Sequence, residues 1–259
     1  MQLIWQRLWR QRILIKRSDR MRNFAFVQNL LSTLVITLCL AIWGLAAAPG
    51  AALLIHVYEL TAADQLWVRA LWLGLSGGGA YLLWGLSTHL IVGTFGIILR
   101  PRLPEARVPL KSALTVRWAF LSLLHRLATP FLNQTVPSWL ANTYFRAMGC
   151  TIGSGVQITS SSINDCFMVT IGDDTVIGGE AIINGHVVER GELVLAPVKI
   201  GKGCVVGARS TILPGCVMGD ESVLAGHAVL TKWTEIPPGE VWGGVPAKCI
   251  RRADGSRPE

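Results

Sequence analysis

At 259 residues, the chain has room for a membrane region and one compact domain. Apolar residues make up 51% and charged residues 15%, a balance unlike that of an ordinary soluble protein. The net charge of +8 sits in the front half: residues 1–149 carry 15 Lys/Arg against 4 Asp/Glu, and residues 150–259 carry 9 against 12. Beside apolar spans, such a basic excess points to anionic lipid as the partner and not to nucleic acid.

Residues 1–23 interleave Arg7, Arg10, Arg12, Lys16 and Arg17 with Trp5, Trp9, Ile13 and Ile15, the pattern of a basic amphipathic segment at a membrane interface. Residues 24–48 hold no charge and predict a first transmembrane helix. A loop at 49–69 carries Glu59, Asp64 and Arg69. Residues 70–99, free of Asp, Glu, Lys and Arg, predict a second span with a small-residue face at Gly74, Gly77, Gly78 and Gly79. His89 lies inside it, where it either marks function or bonds a neighbouring helix. Positive charge on both flanks places the N-terminus and everything after residue 100 on the cytoplasmic face of the inner (plasma) membrane. Residues 100–149 predict amphipathic linker helices, with His125 as an interfacial polar contact.

The remainder has a period of six. From Val194, every sixth residue (Ile200, Val206, Ile212, Met218, Leu224, Leu230, Ile236 and Trp242) is apolar, Gly often follows, and the fifth position is small, as at Cys204, Ser210, Cys216 and Ala228. No helix has this period, and a fixed short repeat predicts a stacked solenoid. Earlier hexads begin at Ile152, Ile158, Ile171, Ile177 and Ile183, giving coils at 152–170, 171–188, 194–211, 212–229 and 230–247. Residues 189–193 form an insertion. The solenoid domain spans 150–249 and the polar tail 250–259 is expected to be flexible. The six Cys contain no CxxC pair and read as reduced core thiols.

In this phase, the fourth positions of the third hexads are His186, Arg209, His227 and Val245, which would stack along one edge. The insertion follows His186 on that edge, and insertions in solenoids collect on the binding face. A neutral imidazole suits the removal of a proton from an amine or hydroxyl that attacks a thioester. His186 is therefore the candidate general base, with Asp165 and Asn184 as partners that orient its ring or contact the acceptor. Two isolated histidines make no metal-ligand set, so no metal is expected.

The aliphatic-Gly-x-x-small hexads resemble the hexapeptide-repeat family. That resemblance implies a mainly β fold: a left-handed parallel β-helix of about five coils, here behind a two-helix transmembrane region and interfacial helices. Asp165 to His186, with Val169-Thr170-Ile171-Gly172-Asp173-Asp174 and Gly185-His186, resembles the membrane-embedded C-terminal domains of ε-poly-lysine synthase-type nonribosomal peptide synthetases. That match extends back through Arg117-Trp118 and Tyr144-Phe145-Arg146-Ala147-Met148-Gly149. Gly244-Val245-Pro246-Ala247-Lys248 is similar to the closing motif of hexapeptide acetyltransferases. Both likenesses imply an acyltransferase with His186 as base. They imply a phosphopantetheine arm, of acyl-CoA or of an acyl or peptidyl carrier protein, in a groove between prisms near Gly244 and Lys248, with Arg209 and His227 as further donor contacts. The synthases carry such domains in tandem, so a single copy predicts a homotrimer. The competing reading is a non-catalytic membrane scaffold on the same fold.

Overall fold

The structure is a computed structural model that describes Leu30, residues 33–99 and residues 103–258. The basic segment expected at 1–23 lies outside the described residues. The chain forms two compact units, Met1–Leu45 and Ala46–Glu259. Within the first, Leu30 and residues 33–45 are helical, and the Thr37 hydroxyl donates to the Thr33 carbonyl at 2.9 Å.

The second unit begins inside helix α1 (Thr33–Leu60) and continues, after a turn, into α2 (Leu66–Leu99). Both are long and apolar enough to cross a bilayer. At about 1.5 Å per residue, α2 reaches roughly 50 Å, against a hydrocarbon core of about 30 Å. The loop expected at 49–69 is mostly helix, and only residues 61–65 turn. Glu59 and Arg69 mark the edge of an apolar stretch, but neither residue type interrupts a helix. The buried residues of α2 are Ser76, Gly85, Thr88, His89, Val92, Gly93 and Gly96, whereas Leu71, Leu75, Leu82, Leu90 and Ile97 are exposed. Burying the small and polar residues inverts the pattern of a soluble protein and is how helices pack within lipid.

Residues 100–149, expected to be helical linker, open with the strand Ala106–Pro109 before helices α3 (Ala113–Thr135) and α4 (Trp139–Ala147). Ser112 caps α3 by accepting from the Thr115 amide at 3.1 Å, and Ser138 caps α4 by accepting from the Ala141 amide at 3.2 Å. α3 lies so close to α2 that a Cβ on Gly85 would stand 2.2 Å from the Phe131 ring.

The repeats build a triangular prism of parallel strands, with apolar columns pointing inward. One face stacks Ile152, Ile171, Ile200, Met218 and Ile236. The second stacks Ile158, Ile177, Val206, Leu224 and Trp242. The third stacks Ile163, Ile183, Ile212 and Leu230. The small positions Cys204, Ser210, Cys216, Ser222 and Ala228 are fully buried. All six cysteines are free thiols. Burial pushes Cys150 up to about 12 and Cys166 well above the usual thiol value, so both stay protonated and unreactive.

The phase differs from the sequence expectation at one place. Val194 does not start a hexad. It lies in the strand Glu192–Leu195, antiparallel to His186–Glu189, with Val194 facing Val187. The parallel stack resumes at Val198–Ile200. Seventeen residues therefore separate Ile183 from Ile200, where six is the rule, and the insertion is a whole hairpin. Strand Ala106–Pro109 adds to the hairpin's outer edge, pairing Arg107 with Val194. At the far end, Lys248–Arg251 folds back antiparallel on Val241–Gly243, so residues 250 and 251, expected in the flexible tail, belong to a sheet.

Candidate functional site

The hairpin brings His186 to the end of the third face of the second coil, next to the turn that closes the first coil. That turn, Ile163-Asn164-Asp165, leads into a short 3-10 segment, Cys166–Met168. Asp165 is completely buried. Its Oδ2 accepts from the Gly185 amide at 2.9 Å and lies 2.5 Å from His186 Nδ1. Its Oδ1 accepts from Trp118 Nε1 of α3 at 2.9 Å. The carboxylate thus has three donors in place of water, which is the condition for keeping a charge buried. Gly185 makes the approach possible: a Cβ there would stand 2.6 Å from Met168 Cβ and 3.0 Å from Asp165 Cβ.

The Trp118 ring lies 4.6 Å from the imidazole of His186 at an interplanar angle of 56°. Asp165 below and Trp118 beside it fix the ring. In the neutral tautomer whose Nδ1–H donates to the carboxylate, Nε2 carries the free lone pair. His186 borders a cavity of about 610 Å³ between α3 and the prism, lined also by Trp118, Ser122, His125, Arg126 and Asn164. His125, the other histidine there, is buried with Nδ1 2.9 Å from the Tyr144 hydroxyl. Burial lowers it to about 4, only partly offset by the Asp165 charge, so it is neutral near pH 7.

The structure joins Asp165 and His186, as the sequence suggested, and places Asn184 one step away. Asn184 Oδ1 accepts from Asn164 Nδ2 at 2.6 Å, and it is Asn164 that borders the cavity. Arg209 and His227 do not share an edge with His186. Val206 stacks on Ile177, one face earlier than Ile183, so the expected column breaks. Arg209 and His227 instead follow Glu180 along another corner, all three at φ of 58–59°. Arg209 Nε lies 2.8 Å from Glu180 Oε2. Gly244 lies beside Val229, whose amide donates to its carbonyl at 3.0 Å, and Lys248 is exposed on the final strand. Trp118 was missed as a site residue. Its sequence signals are its place in the Arg117-Trp118 part of the synthase-type resemblance and its spacing of four from Ser122 and eight from Arg126 on a helix face. Among the described residues, no three His, Cys, Asp or Glu side chains are grouped to hold a metal ion.

Residues 197–232 match the bacterial transferase hexapeptide family (six repeats), and residues 168–191 match the hexapeptide repeat of succinyl-transferase. Both matches fall within the prism, whose repeats are therefore similar to those of hexapeptide transferases. The chain is similar to Delta-poly-L-ornithine synthetase of Acinetobacter baumannii (strain AB307-0294), with 26% identity over 169 residues, covering 65% of this chain and 12% of that protein. It is similar to mitochondrial Gamma carbonic anhydrase 2 of Arabidopsis thaliana, with 32% identity over 111 residues, covering 39% of this chain and 36% of that protein. The chain therefore spans only a minor part of these relatives' lengths. Among solved structures, it resembles a hexapeptide-repeat acetyltransferase of Vibrio cholerae O1 biovar eltor complexed with acetyl coenzyme A. That pair shares 17% identity at a TM-score of 0.41, over 56% of this chain and 91% of the other.

Proposed function

We propose that the protein is a membrane-anchored acyltransferase in which His186 is the general base. It moves an acyl group from a cytoplasmic thioester, acyl-CoA or carrier-protein phosphopantetheine, to an amine or hydroxyl. The observation that carries this reading is the Asp165–His186 pair, at 2.5 Å, on the border of a cavity. As the acceptor attacks the thioester carbonyl, its N–H or O–H proton passes to His186 Nε2. The buried Asp165 stabilises the imidazolium. When the tetrahedral intermediate collapses, the C–S bond breaks and the same proton goes to the departing thiolate. Asn164, held by Asn184 and lining the same cavity, is a polar contact for the acceptor.

In this reading Arg209, His227, Gly244 and Lys248 are donor contacts. They lie on other edges of the prism than His186, so the proposal includes a homotrimer in which the donor lies between neighbouring copies. A second reading is carrier-dependent amide formation. The likeness to the poly-ornithine synthetase runs over 169 residues, more than the prism alone contains, so it takes in helical residues too.

The test is thioester consumption by the purified full chain in nanodiscs, with acetyl-CoA and an aminoacyl carrier protein offered separately. Release of free thiol from either donor, stimulated by an added amine, is expected, and the preferred donor separates the two readings. No release from either donor would leave the non-catalytic scaffold.

A further inference from the structure

The cavity beside His186 has a charged wall that proton transfer does not use. Trp118, Ser122, Arg126, Thr129 and Asn133 of α3 line it, at spacings of four, four, three and four, which is one face of a helix. Arg126 stands two turns beyond Trp118, about 12 Å along the axis. It is the one charged side chain among the described residues lining this cavity, apart from the titratable histidines. Elsewhere on the surface, cations are paired with carboxylates: Arg107 with Glu189 and Glu192, Lys202 with Asp173, Arg209 with Glu180 and Lys232 with Glu189. Arg126 has no such carboxylate among the described residues. Asp165 is occupied by Trp118, Gly185 and His186. One turn nearer to Trp118, the Ser122 hydroxyl is buried without a hydrogen-bond partner among the described residues. A buried hydroxyl left unpaired is costly unless a ligand satisfies it. A guanidinium that is always charged, with a fork suited to two oxygens, specifies what that ligand presents.

We infer that Arg126, helped by Ser122, is the specificity determinant of the acceptor site, and that the acceptor carries an oxyanion, a carboxylate or a phosphate. The oxyanion lies on the order of 10 Å from the amine or hydroxyl that His186 deprotonates. The inference rests on the acyltransferase reading for the identity of the site as an acceptor site. The charge selectivity itself can be measured without turnover.

The experiment is calorimetric titration of the full chain in nanodiscs with two probe pairs. These are 6-aminohexanoate against hexylamine, and 6-aminohexyl phosphate against 6-aminohexanol. The anionic member of at least one pair is expected to bind roughly tenfold to a hundredfold more tightly, the range of a charge-assisted bond. The pair that shows the preference separates carboxylate from phosphate. Arg126→Gln should bring the ratio near one, and Arg126→Lys should restore part of it. Neither should change acetyl-CoA affinity, and Arg126 is exposed, so the fold should tolerate both. His186→Ala should keep the preference while losing acyl transfer. Equal affinity within both pairs, absence of binding included, would overturn the inference. So would an Arg126→Gln variant that weakens acetyl-CoA and leaves the probes unaffected. A wild type that keeps the preference but transfers no acyl group would sink the acyltransferase reading alone.

Discussion

A carboxylate with no exposed surface holds the candidate base, and its donors are the adjacent Gly185 and His186 together with Trp118 of α3. Replacing Asp165 with Asn keeps the volume but puts an amide N–H where Nδ1–H points. The ring is then driven to the other tautomer, and kcat is expected to fall by roughly 10²–10⁴-fold with little change in KM. Trp118→Phe keeps the ring contact and removes only the indole donor, so a smaller loss, near tenfold, is expected. His125 makes a separate prediction. In the folded chain it holds its proton less tightly than the ordinary histidine value of 6.5, at about 4. Below pH 6.5 the unfolded chain binds that proton and the folded chain does not. Stability should therefore be level above pH 6.5 and fall toward pH 4, by about 3 kcal/mol for this group. Denaturant unfolding of wild type and His125→Gln across that range checks it, since the variant should lose this part of the slope. His186 and Asp165 were legible in the sequence because the repeat makes any His or Asp at a corner conspicuous. Trp118 was not, because it meets Asp165 across 47 residues of chain and no local pattern encodes that contact.

The element that departs from the repeat is the hairpin, and it decides where the base stands. Its strand Glu192–Leu195 sends Leu193 and Leu195 into a buried cluster with Met168, against which Val108, Leu114, Trp118 and Phe167 pack. Leu195→Ala should cost about 2–5 kcal/mol of stability. It should also lower acyl transfer, because the same cluster seats Trp118. By contrast, Glu189→Gln breaks contacts to Arg107 and Lys232 that are partly in water, and the melting temperature should hardly move. Between α2 and α3, Gly85→Ala places a methyl into the Phe131 ring, with an expected loss of about 1–3 kcal/mol that Phe131→Leu partly restores. The hexads were plain in the sequence, yet the hairpin hid among them. Leu193, Val194 and Leu195 are all buried, and Val194 falls six residues before Ile200, so an antiparallel strand imitated one more rung. Six-residue spacing identifies a face only while no residues are added, and here a whole hairpin was.

At the scale of the molecule, the chain order is two long apolar helices, then α3 and α4, then a parallel prism. Its cavity is walled by the helix α3 that packs against α2. The architecture was legible as a whole, since an uncharged stretch and a hexad repeat are both long-range signals. Helix ends were less so, because charged residues near 59–69 end the apolar stretch without ending the helix. The proposed topology expects a C-terminal reporter fusion to be active on the cytoplasmic side, and activity on the outer side would reverse the orientation. The most direct test of the Asp165–His186 assignment is the rate of acyl transfer by His186→Ala, measured with the donor that the wild type prefers and with the variant's melting temperature and assembly state recorded alongside. The expected result is a fall in kcat of roughly 10²–10⁴-fold with the fold and assembly unchanged. Turnover equal to wild type in a folded His186→Ala protein would show that His186 is not the base.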